Sequence, residues 1–512
     1  DHKIQNINNL SHDESVQPTE RAVRAIHKFG KLSESEVPTP LGMAGDMVAL
    51  LPDQCFREIQ RSGGRILDIA SKIGEFAIAL CQRAEKLGIS AEDIRSSVLA
   101  IPTSPVAYEF TRKIYTVLGL DIDCIAARFT TYDLLDVKAA GGKEHDAIDY
   151  GRISSILKQK KRFCDITLED EGEEGDEMKF EAIVGNPPYQ VSDGGAQASA
   201  RPIYHNFVNI AKKLSPCRLT MIMPSRWYAG GKGLDEFRTQ MLDDIHIEEL
   251  DDFLHPEEVF PDTNNRGGIC YFLWNADYDN TREKVTIVSH MGEGAVNVAR
   301  RSLRTRDLDI FVRDNIGITI LNKVVFDDTE VMADHISSRK PFGLDTSFTR
   351  SPGFCETDEG LSDPVKCFGK GRKIGYASRD AVKVHRDWIG RWKVLMPYAN
   401  NIGTELNDDN QNTFVAGPDT ICTETFLVVG VDLVNDQAEA EHLATYLRTK
   451  FARFLLSLAK ISQHGTARTY KFVPVQDFTA ASDICWDRPI AEIDSQLYAR
   501  YHLDPEEIAH IE

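Results

Sequence analysis

The sequence predicts an α/β protein whose larger part is a doubly wound, seven-stranded sheet. Three observations support this fold class. Short apolar runs alternate with amphipathic, helix-length stretches over residues 36–280, the pattern of a mostly parallel sheet with crossover helices. Seven such runs occur, enough for a complete doubly wound sheet. At 512 residues the chain is also too long for one core, so two or three domains are expected.

The chain is expected to divide into three parts. Residues 1–35 are polar and predict an N-terminal arm or extension, and residues 36–280 hold the predicted sheet. From residue 281 to 512 the pattern changes to shorter mixed elements, which predict a second, α+β domain. The candidate strands of the sheet are Arg65–Ala70, Ser97–Ile101, Ala126–Thr130, Phe180–Gly185, Leu219–Pro224, Ile245–Phe253 and Gly268–Trp274.

Composition excludes several classes of protein. With 42% hydrophobic and 27% charged residues, the chain has the composition of a globular protein. No apolar stretch approaches the roughly 20 residues of a membrane-spanning helix, and the polar start Asp1-His2-Lys3 does not resemble a signal peptide. The ten cysteines include no Cys-x-x-Cys pair, so neither disulfides nor a metal site are expected. A reducing cytoplasm fits best.

Charge is distributed unevenly. The net charge of −20 argues against a general affinity for nucleic acid, and Asp165–Glu177 holds eight acidic and no basic residues. Basic residues instead cluster at Arg300–Arg306, Lys366–Lys393 and Arg448–Lys471. One such cluster is often only a solvated face, but three of them favour a phosphate-binding surface in the C-terminal half. The candidate residues are Lys366, Lys370, Arg372, Lys373, Lys393, Arg468 and Lys471.

The most specific motif is Asn186-Pro187-Pro188-Tyr189, which directly follows the apolar run Phe180–Gly185. The prolines fix φ and remove two backbone donors, so that nearby carbonyls can point into a pocket. Asn186 supplies an acceptor and a donor, and Tyr189 supplies a stacking face. Such a corner can hold a planar exocyclic amine and free its nitrogen for attack without a strong base. The alternative, a simple strand-to-turn break, is less favoured because the tyrosine follows a buried-type strand.

A second group of residues predicts a nucleotide-type pocket. The run Arg65–Ala70 contains Asp68 and leads through a short loop to Gly74, and such a loop can bind a ligand at the carboxyl edge of a parallel sheet. With one glycine, an ordinary strand–helix connection explains the loop equally well. Thr39 precedes this unit and can reach the same pocket. Asp133 can accept from an adenine amino group or cap a helix, and both roles remain open.

Along the chain, the cofactor-type residues Thr39, Asp68, Gly74 and Asp133 come before the motif Asn186–Tyr189. In this chain order the motifs resemble those of the S-adenosylmethionine-dependent adenine-N6 DNA methyltransferases of bacterial restriction–modification systems with the γ motif order. The resemblance covers most of the chain from residue 36. Further similar strings are Ile203-Tyr204-His205-Asn206-Phe207, Met221-Ile222-Met223-Pro224-Ser225-Arg226-Trp227, Gly267-Gly268-Ile269-Cys270-Tyr271-Phe272, Trp392-Lys393-Val394 and Phe472-Val473-Pro474.

The resemblance implies a Rossmann-like methyltransferase catalytic domain over residues 36–280 and a DNA target-recognition domain over residues 281–512. It implies methyl transfer to the exocyclic N6 of an adenine flipped out of double-stranded DNA. Asn186 and the carbonyl of Pro187 would hold the target amine, Pro188 would complete the rigid corner, and Tyr189 would stack on the base.

The same resemblance implies S-adenosylmethionine as the cofactor. Asp68, Ala70 and Gly74 would line its methionine end, Thr39 would close that pocket, and Asp133 would bind its adenine. The family usually carries a ribose-binding acid after the second strand. Here that place has Ile101-Pro102-Thr103-Ser104, so Thr103, Ser104 or Glu109 is expected to replace it. The implied partners are DNA and a cognate restriction endonuclease or specificity subunit, and the implied location is the bacterial cytoplasm at the nucleoid.

Several alternatives remain open at the level of the residues. The loop Ser71–Gly74 lacks the family's multiple glycines, which favours a DNA-binding or assembly subunit with a decayed cofactor site. Adenine in RNA is a further candidate substrate. A protein glutamine amide is another, but it leaves the basic C-terminal half without a purpose. Glu177-Met178-Lys179 fits a nuclease fragment, yet it lacks a partner aspartate and is interpreted as surface charge.

Overall fold

The computed structural model describes residues 15–27, 37–138, 147–170, 177–190, 201–231, 233–261, 267–305, 308–399, 412–459 and 466–512. The chain divides into two compact units between Phe311 and Val312. Most of the expected N-terminal arm lies outside the described residues. So does the stretch 192–200, which is rich in glycine, alanine and serine and which the sequence predicts to be a surface loop.

The described part of the first unit contains ten α-helices and eight strands. The helices are α1 (Pro18–Ile26), α2 (Leu41–Ala49), α3 (Asp53–Ser62), α4 (Glu75–Lys86), α5 (Ala91–Ile94), α6 (Pro105–Leu118), α7 (Tyr150–Leu157), α8 (Tyr204–Lys213), α9 (Asp235–Leu242) and α10 (Asn280–Glu283). The strands are β1 (Arg65–Ser71), β2 (Val98–Pro102), β3 (Phe180–Gly185), β4 (Arg218–Pro224), β5 (Ile247–Phe253), β6 (Ile269–Asn275), β7 (Val285–Gly292) and β8 (Ala295–Arg301).

Helix α6 shows how the sequence sets an element's limits. The side chain of Ser104 accepts a hydrogen bond from the Ala107 N–H, and Pro105 occupies the first turn, where no intrahelical donor is needed. The helix ends at Gly119, whose φ of 77° is left-handed and therefore suits glycine. Ile114 and Tyr115 of this helix are fully buried in the core of the unit.

The eight strands form one sheet in the order β2-β1-β3-β4-β6-β5-β7-β8. The pairs β2–β1, β1–β3, β3–β4 and β5–β7 are parallel, whereas β6 runs antiparallel to both of its neighbours. Strands β2 and β3 are fully buried along their whole length, as expected for parallel strands covered on both faces. The prediction of a mostly parallel, doubly wound α/β sheet is therefore confirmed.

Two details of the strand prediction are wrong. Residues 126–130 form no strand. The preceding residue, Ile125, makes one isolated bridge to Ala100, and the Ala126 N–H donates to the Ala100 carbonyl, but no ladder of hydrogen bonds continues from there. Conversely, β7 and β8 lie beyond the expected boundary at residue 280 and extend the sheet to eight strands instead of seven. Strand β8 is an exposed edge, and its alternating pattern differs from the apolar runs of the inner strands.

The second unit is α+β, as the sequence predicts. Its strands are β9 (Pro364–Phe368), β10 (Ile374–Ser378), β11 (Lys393–Pro397), β12 (Phe414–Ala416), β13 (Thr420–Cys422) and β14 (Phe426–Val429). They form two three-stranded sheets, ordered β10-β9-β13 and β12-β11-β14. Its helices are α11 (Asn315–Val324), α12 (Gln437–Arg448), α13 (Lys450–Ala459), α14 (Ile490–Arg500) and α15 (Pro505–Ile511). Within the described ranges of both units, no helix combines the length and apolar character that crossing a membrane requires.

Candidate functional site

The site lies where the order of the strands reverses. From β1 the chain moves to β2 on one side, and β3 then pairs with β1 on the other side. Ligands of such sheets bind outside the carboxyl ends of the strands at this switch point. Asp68 of β1 is paired in register with Val184 of β3, so the two strands end at the same edge. The loop Ser71–Gly74 and the corner Asn186–Tyr189 therefore become neighbours.

A buried lysine connects the two segments. The Lys72 ammonium donates to the main-chain carbonyl of Asn186 and to that of Val37, each at 2.9 Å. Lys72 is only 3% exposed. Because both acceptors are backbone atoms, this interaction fixes the path of the chain at the corner Asn186–Tyr189 and in the segment that leads to Thr39.

The Asn186 side chain is held with its acceptor free. Its Nδ2 donates to the Val37 carbonyl at 3.2 Å, the same carbonyl that binds the Lys72 ammonium. Its Oδ1 is buried and has no hydrogen-bond partner among the described residues, and the residue as a whole is 2% exposed. Since a buried amide oxygen is normally satisfied, this atom can accept a further donor that the described residues do not supply. Pro187 and Pro188 are buried beside it.

Tyr189 belongs to an aromatic group. Its ring lies edge-to-face against Tyr204, with centroids 6.4 Å apart, and Tyr204 makes similar contacts with His205 and Phe237. The hydroxyls of Tyr189 and Tyr204 are buried and find no partner in the described part of the chain. Burial raises the pKa of the Tyr189 phenol well above its ordinary value, so the ring is neutral. Tyr189 can therefore offer a neutral face for stacking.

Gly74 opens helix α4 in a conformation that requires glycine. Its φ is 82°, and a Cβ at this position would lie 3.0 Å from the side chain of Ile114. The next residue, Glu75, is buried and accepts from the N–H of Thr39 at 3.0 Å and from that of Ile73 at 3.1 Å. Glu75 thereby joins the loop after β1 to the segment before α2.

Only one of the two oxygens of the buried Asp68 carboxyl has a hydrogen-bond partner among the described residues. Its Oδ1 accepts from the Ala70 N–H at 3.1 Å, and its Oδ2 has no partner among the described residues. Burial, assisted by the nearby charge of Glu75, raises the pKa of Asp68 to about 8. Without a cation beside it, the carboxyl is mostly protonated at neutral pH. Ala70 is buried next to it.

Of the three residues expected to replace the ribose-binding acid, the structure leaves one available. The Ser104 side chain caps α6, and Glu109 forms an exposed ion pair with Arg112. Thr103 is buried at the end of β2, where its N–H donates to the Ser71 carbonyl at 3.0 Å. Its hydroxyl has no partner within the described residues, and the same holds for the buried hydroxyl of Thr39.

Asp133 is not the N-cap that one of its two predicted roles requires, because it lies inside the short 3-10 helix Tyr132–Asp136, whose N-cap is Thr131. Its Oδ2 accepts from the N–H and the hydroxyl of Thr130 at 2.7 and 2.9 Å, which closes the turn before this helix. Its other predicted role, binding an adenine amino group, stays a prediction. The hydroxyl of Thr131 donates to the Ile69 carbonyl at 2.9 Å and so ties this helix to the end of β1. The carboxyl of Asp133 is half-buried, and its second oxygen makes no hydrogen bond to the described residues.

The predicted phosphate-binding residues of the second unit fall into two groups. Lys366, Lys370 and Lys373 lie on the β9–β10 hairpin, where the Gly369 N–H donates to the Lys373 carbonyl. Lys370 and Lys373 are exposed, whereas Lys366 is half-buried. Nothing is described of the Arg372 side chain. In the second group, Arg468 is exposed and Lys471 is half-buried with its ammonium 5.3 Å from the Phe472 ring.

The prediction for Lys393 is wrong. This residue is 0% exposed, and its ammonium donates to the carbonyls of Trp388, Ile389, Arg391 and Gly417. Burial lowers the pKa of Lys393 to about 8. A side chain satisfied in this way by four backbone oxygens stabilises its own unit and is not presented to a phosphate.

Lys72 and Glu75 were not predicted from the sequence. These two charged side chains connect the segments of the site by hydrogen bonds. The signal was present, since both stand in a short connection between an apolar strand and an apolar helix. As for metals, the described residues contain no group of three or more histidine, cysteine, aspartate or glutamate side chains suited to hold an ion.

The raised pKa of Asp68 predicts a pH-dependent stability. Between about pH 4, near the ordinary value of 3.8, and about pH 8, the native state binds a proton that the unfolded chain lacks. The free energy of unfolding should therefore fall as the pH rises through this window. Asp68→Asn removes the titration, so its stability relative to the wild type should increase from pH 5 to pH 8 in urea unfolding. Asp136→Asn, at an exposed aspartate, is the matched control. A difference that stays constant with pH would show that Asp68 is ionised throughout.

Comparison with known proteins connects this geometry to a family. Residues 115–260 match the family model described as Eco57I restriction-modification methylase. The matched segment contains Asp133, strands β3 and β4, and the whole corner Asn186–Tyr189.

The comparison also finds individual similar proteins. A Mycoplasma pneumoniae protein described as an uncharacterized adenine-specific methylase is 31% identical over 164 residues, which are 31% of this chain and 38% of that protein. The solved type IIG restriction endonuclease BpuSI is 11% identical, with a TM-score of 0.43, and the match covers 93% of this chain and 62% of that one. The DrdV–DNA complex is 11% identical, with a TM-score of 0.45, and covers 92% and 59%.

The chain thus spans less than two thirds of each of these relatives. The resemblance to restriction–modification adenine methyltransferases that the sequence predicts is confirmed by the family match over residues 115–260 and by the relative described as an adenine-specific methylase.

Proposed function

We propose that the chain is a site-specific DNA methyltransferase that transfers a methyl group from S-adenosylmethionine to the exocyclic N6 of adenine in double-stranded DNA, within a restriction–modification system. The observation that carries this proposal is the Asn186 Oδ1 atom, which is buried and unpartnered among the described residues. It lies on a corner that the Lys72 ammonium ties to the loop after β1. A buried acceptor of this kind is suited to a polar N–H donor, and an exocyclic amine is such a donor.

The residues around the end of β1 fit the proposed cofactor. Asp68, Thr39 and Thr103 each carry a buried polar atom without a partner in the described structure. The ammonium of the cofactor's methionine part would favour the ionised form of Asp68, and the two hydroxyls would bind further polar groups. When bound, S-adenosylmethionine supplies a methyl group that a positively charged sulfur already makes strongly electrophilic.

The catalytic corner would act by alignment. Asn186 Oδ1 and the Pro187 carbonyl accept the two N–H groups of the amine, which favours a pyramidal nitrogen and frees its lone pair. N6 would form its bond to the methyl carbon as the carbon–sulfur bond breaks, with the electron pair remaining on sulfur, and it would then release one proton to solvent water. Correct placement of the reacting groups supplies most of the rate advantage in such a transfer, with no strong base required. Tyr189 holds the purine by stacking on its ring.

The adenine must leave the duplex before it can reach such a corner. Extrusion of a base costs roughly a few kcal/mol, and stacking on an aromatic ring such as Tyr189 offsets roughly 1–3 kcal/mol of it. We assign the remaining binding energy to interactions between DNA phosphates and the exposed residues Lys370, Lys373 and Arg468 of the second unit. In this proposal the second unit is the target-recognition domain, and a restriction endonuclease or specificity subunit is the protein partner.

Substitutions at the corner test the assignment. Asn186→Ala and Tyr189→Ala should each lower radiolabel transfer from S-adenosylmethionine to DNA at least about a hundredfold, because the acceptor or the stacking ring is removed. Tyr189→Phe is the matched control. It removes only a hydroxyl without a partner in the described structure, so transfer should stay within a few-fold of the wild type.

Mapping of the modified base in DNA from cells that express the wild type or Asn186→Ala distinguishes the alternatives. Adenine-N6 methylation that depends on Asn186 supports the proposal. Methylation confined to RNA would replace the substrate, and the absence of any transfer would favour a DNA-binding or assembly subunit. Full activity of Asn186→Ala or Tyr189→Ala would remove the basis of the site assignment.

The exposed hairpin residues should bind DNA phosphates. The double variant Lys370→Ala/Lys373→Ala should weaken duplex binding at every sequence, and it should lower the slope of log K against log salt by about 0.9 for each phosphate that the protein no longer neutralises. Fluorescence anisotropy over a salt series measures both effects. Arg488→Ala, at an exposed arginine outside the two groups, is the control. An unchanged slope in the double variant would place the DNA surface elsewhere.

A further inference from the structure

We propose that Lys72 is a positioning residue for methyl transfer, whose ammonium holds the catalytic corner against the loop after β1 and thereby orients the Asn186 amide. This inference rests on the function proposed above and adds to it a residue of the loop after β1.

The geometry carries the first step. One ammonium reaches two backbone carbonyls, those of Val37 and Asn186, at 2.9 Å each. The residue that provides the second carbonyl is also the residue whose side chain must accept the target amine. Lys72 therefore binds the corner directly on its backbone, one peptide before the Pro187 carbonyl.

Two donors share the main-chain carbonyl of Val37. It accepts from the Lys72 ammonium and also from Asn186 Nδ2 at 3.2 Å. With Nδ2 engaged, Oδ1 is the only amide atom of Asn186 left for an incoming amine. If the ammonium is removed, the Val37 carbonyl is free to move, and the Asn186 amide can rotate so that its donor and acceptor exchange places.

The third step concerns the choice of residue. Burial of an ammonium is unfavourable unless its donors are satisfied, and an apolar side chain of similar length would fill the same space without that penalty. Lys72 is 3% exposed, and its charge acts on the buried carboxyl of Asp68, which offsets part of that penalty. The two hydrogen bonds to carbonyls of segments that are distant in sequence add a positioning role, which methionine cannot perform because it has no donor.

Two variants separate the role of the ammonium from the role of the side chain's volume. Lys72→Met keeps the volume and removes the donor. We expect its kcat to fall by about tenfold or more, because the Asn186 amide loses its alignment. The dissociation constant for S-adenosylhomocysteine should rise by a smaller factor, because Lys72 also holds the segment that leads to Thr39, and the cooperative melting transition should be retained. Lys86→Met, at an exposed lysine of α4, should match the wild type in all three.

Lys72→Ala leaves a cavity that propylammonium fits, and the added cation should restore part of kcat, whereas the neutral 1-propanol should not. Wild-type kcat in Lys72→Met, or equal rescue by the cation and the alcohol, would overturn the inference. Loss of the melting transition in both variants would also overturn it, in favour of a purely structural lysine. If the wild type itself transfers no methyl group, the proposed function fails and this inference falls with it. An active wild type with an equally active Lys72→Met refutes the role of Lys72 alone.

Discussion

The carbonyl oxygen of Val37 accepts from both the Lys72 ammonium and the Asn186 amide, and through it three distant segments meet. Glu75 adds a second connection by accepting from the N–H of Thr39. These hydrogen bonds are possible because β1 and β3 are parallel neighbours that end at the same edge of the sheet. The sheet thus brings the ends of β1 and β3 close together, and the buried side chains of Lys72 and Glu75 fix the adjoining segments relative to one another.

Around this arrangement the chain leaves polar atoms unsatisfied in a consistent pattern. Asp68 Oδ2, the hydroxyls of Thr39 and Thr103, and Asn186 Oδ1 are all buried without partners in the described structure. A folded protein rarely tolerates several such atoms together. Asp68 lies in β1, Thr103 directly follows β2, Asn186 directly follows β3, and Thr39 is joined to the loop after β1 through Glu75. The carboxyl ends of these strands form the edge where open α/β sheets bind their ligands. The pattern fits a site completed by a cofactor and a polar substrate.

Much of this could be predicted from the sequence because the signals were local. The apolar runs of β1, β3 and β4 are buried strands, and Asn186-Pro187-Pro188-Tyr189 is a contiguous motif. Prediction failed where tertiary interactions decide. Residues 126–130 use their polar groups in single hydrogen bonds instead of a ladder, and β8 is an exposed edge. Lys393 was misassigned because the local fold surrounds its ammonium with three carbonyls of residues 388–391 and the carbonyl of Gly417. Lys72 and Glu75 were missed because each of them has a partner that lies far away in sequence.

The central claim is that Asn186 Oδ1 is the acceptor for the target amine. The most direct measurement is a crystal structure of the chain with S-adenosylhomocysteine and a DNA duplex that carries its mapped modification site. In that complex we expect an extruded adenine whose N6 lies about 2.7–3.2 Å from Asn186 Oδ1, with the Lys72 hydrogen bonds to Val37 and Asn186 intact. An extruded adenine bound elsewhere, or Asn186 Oδ1 hydrogen-bonded to the protein in that complex, would contradict it.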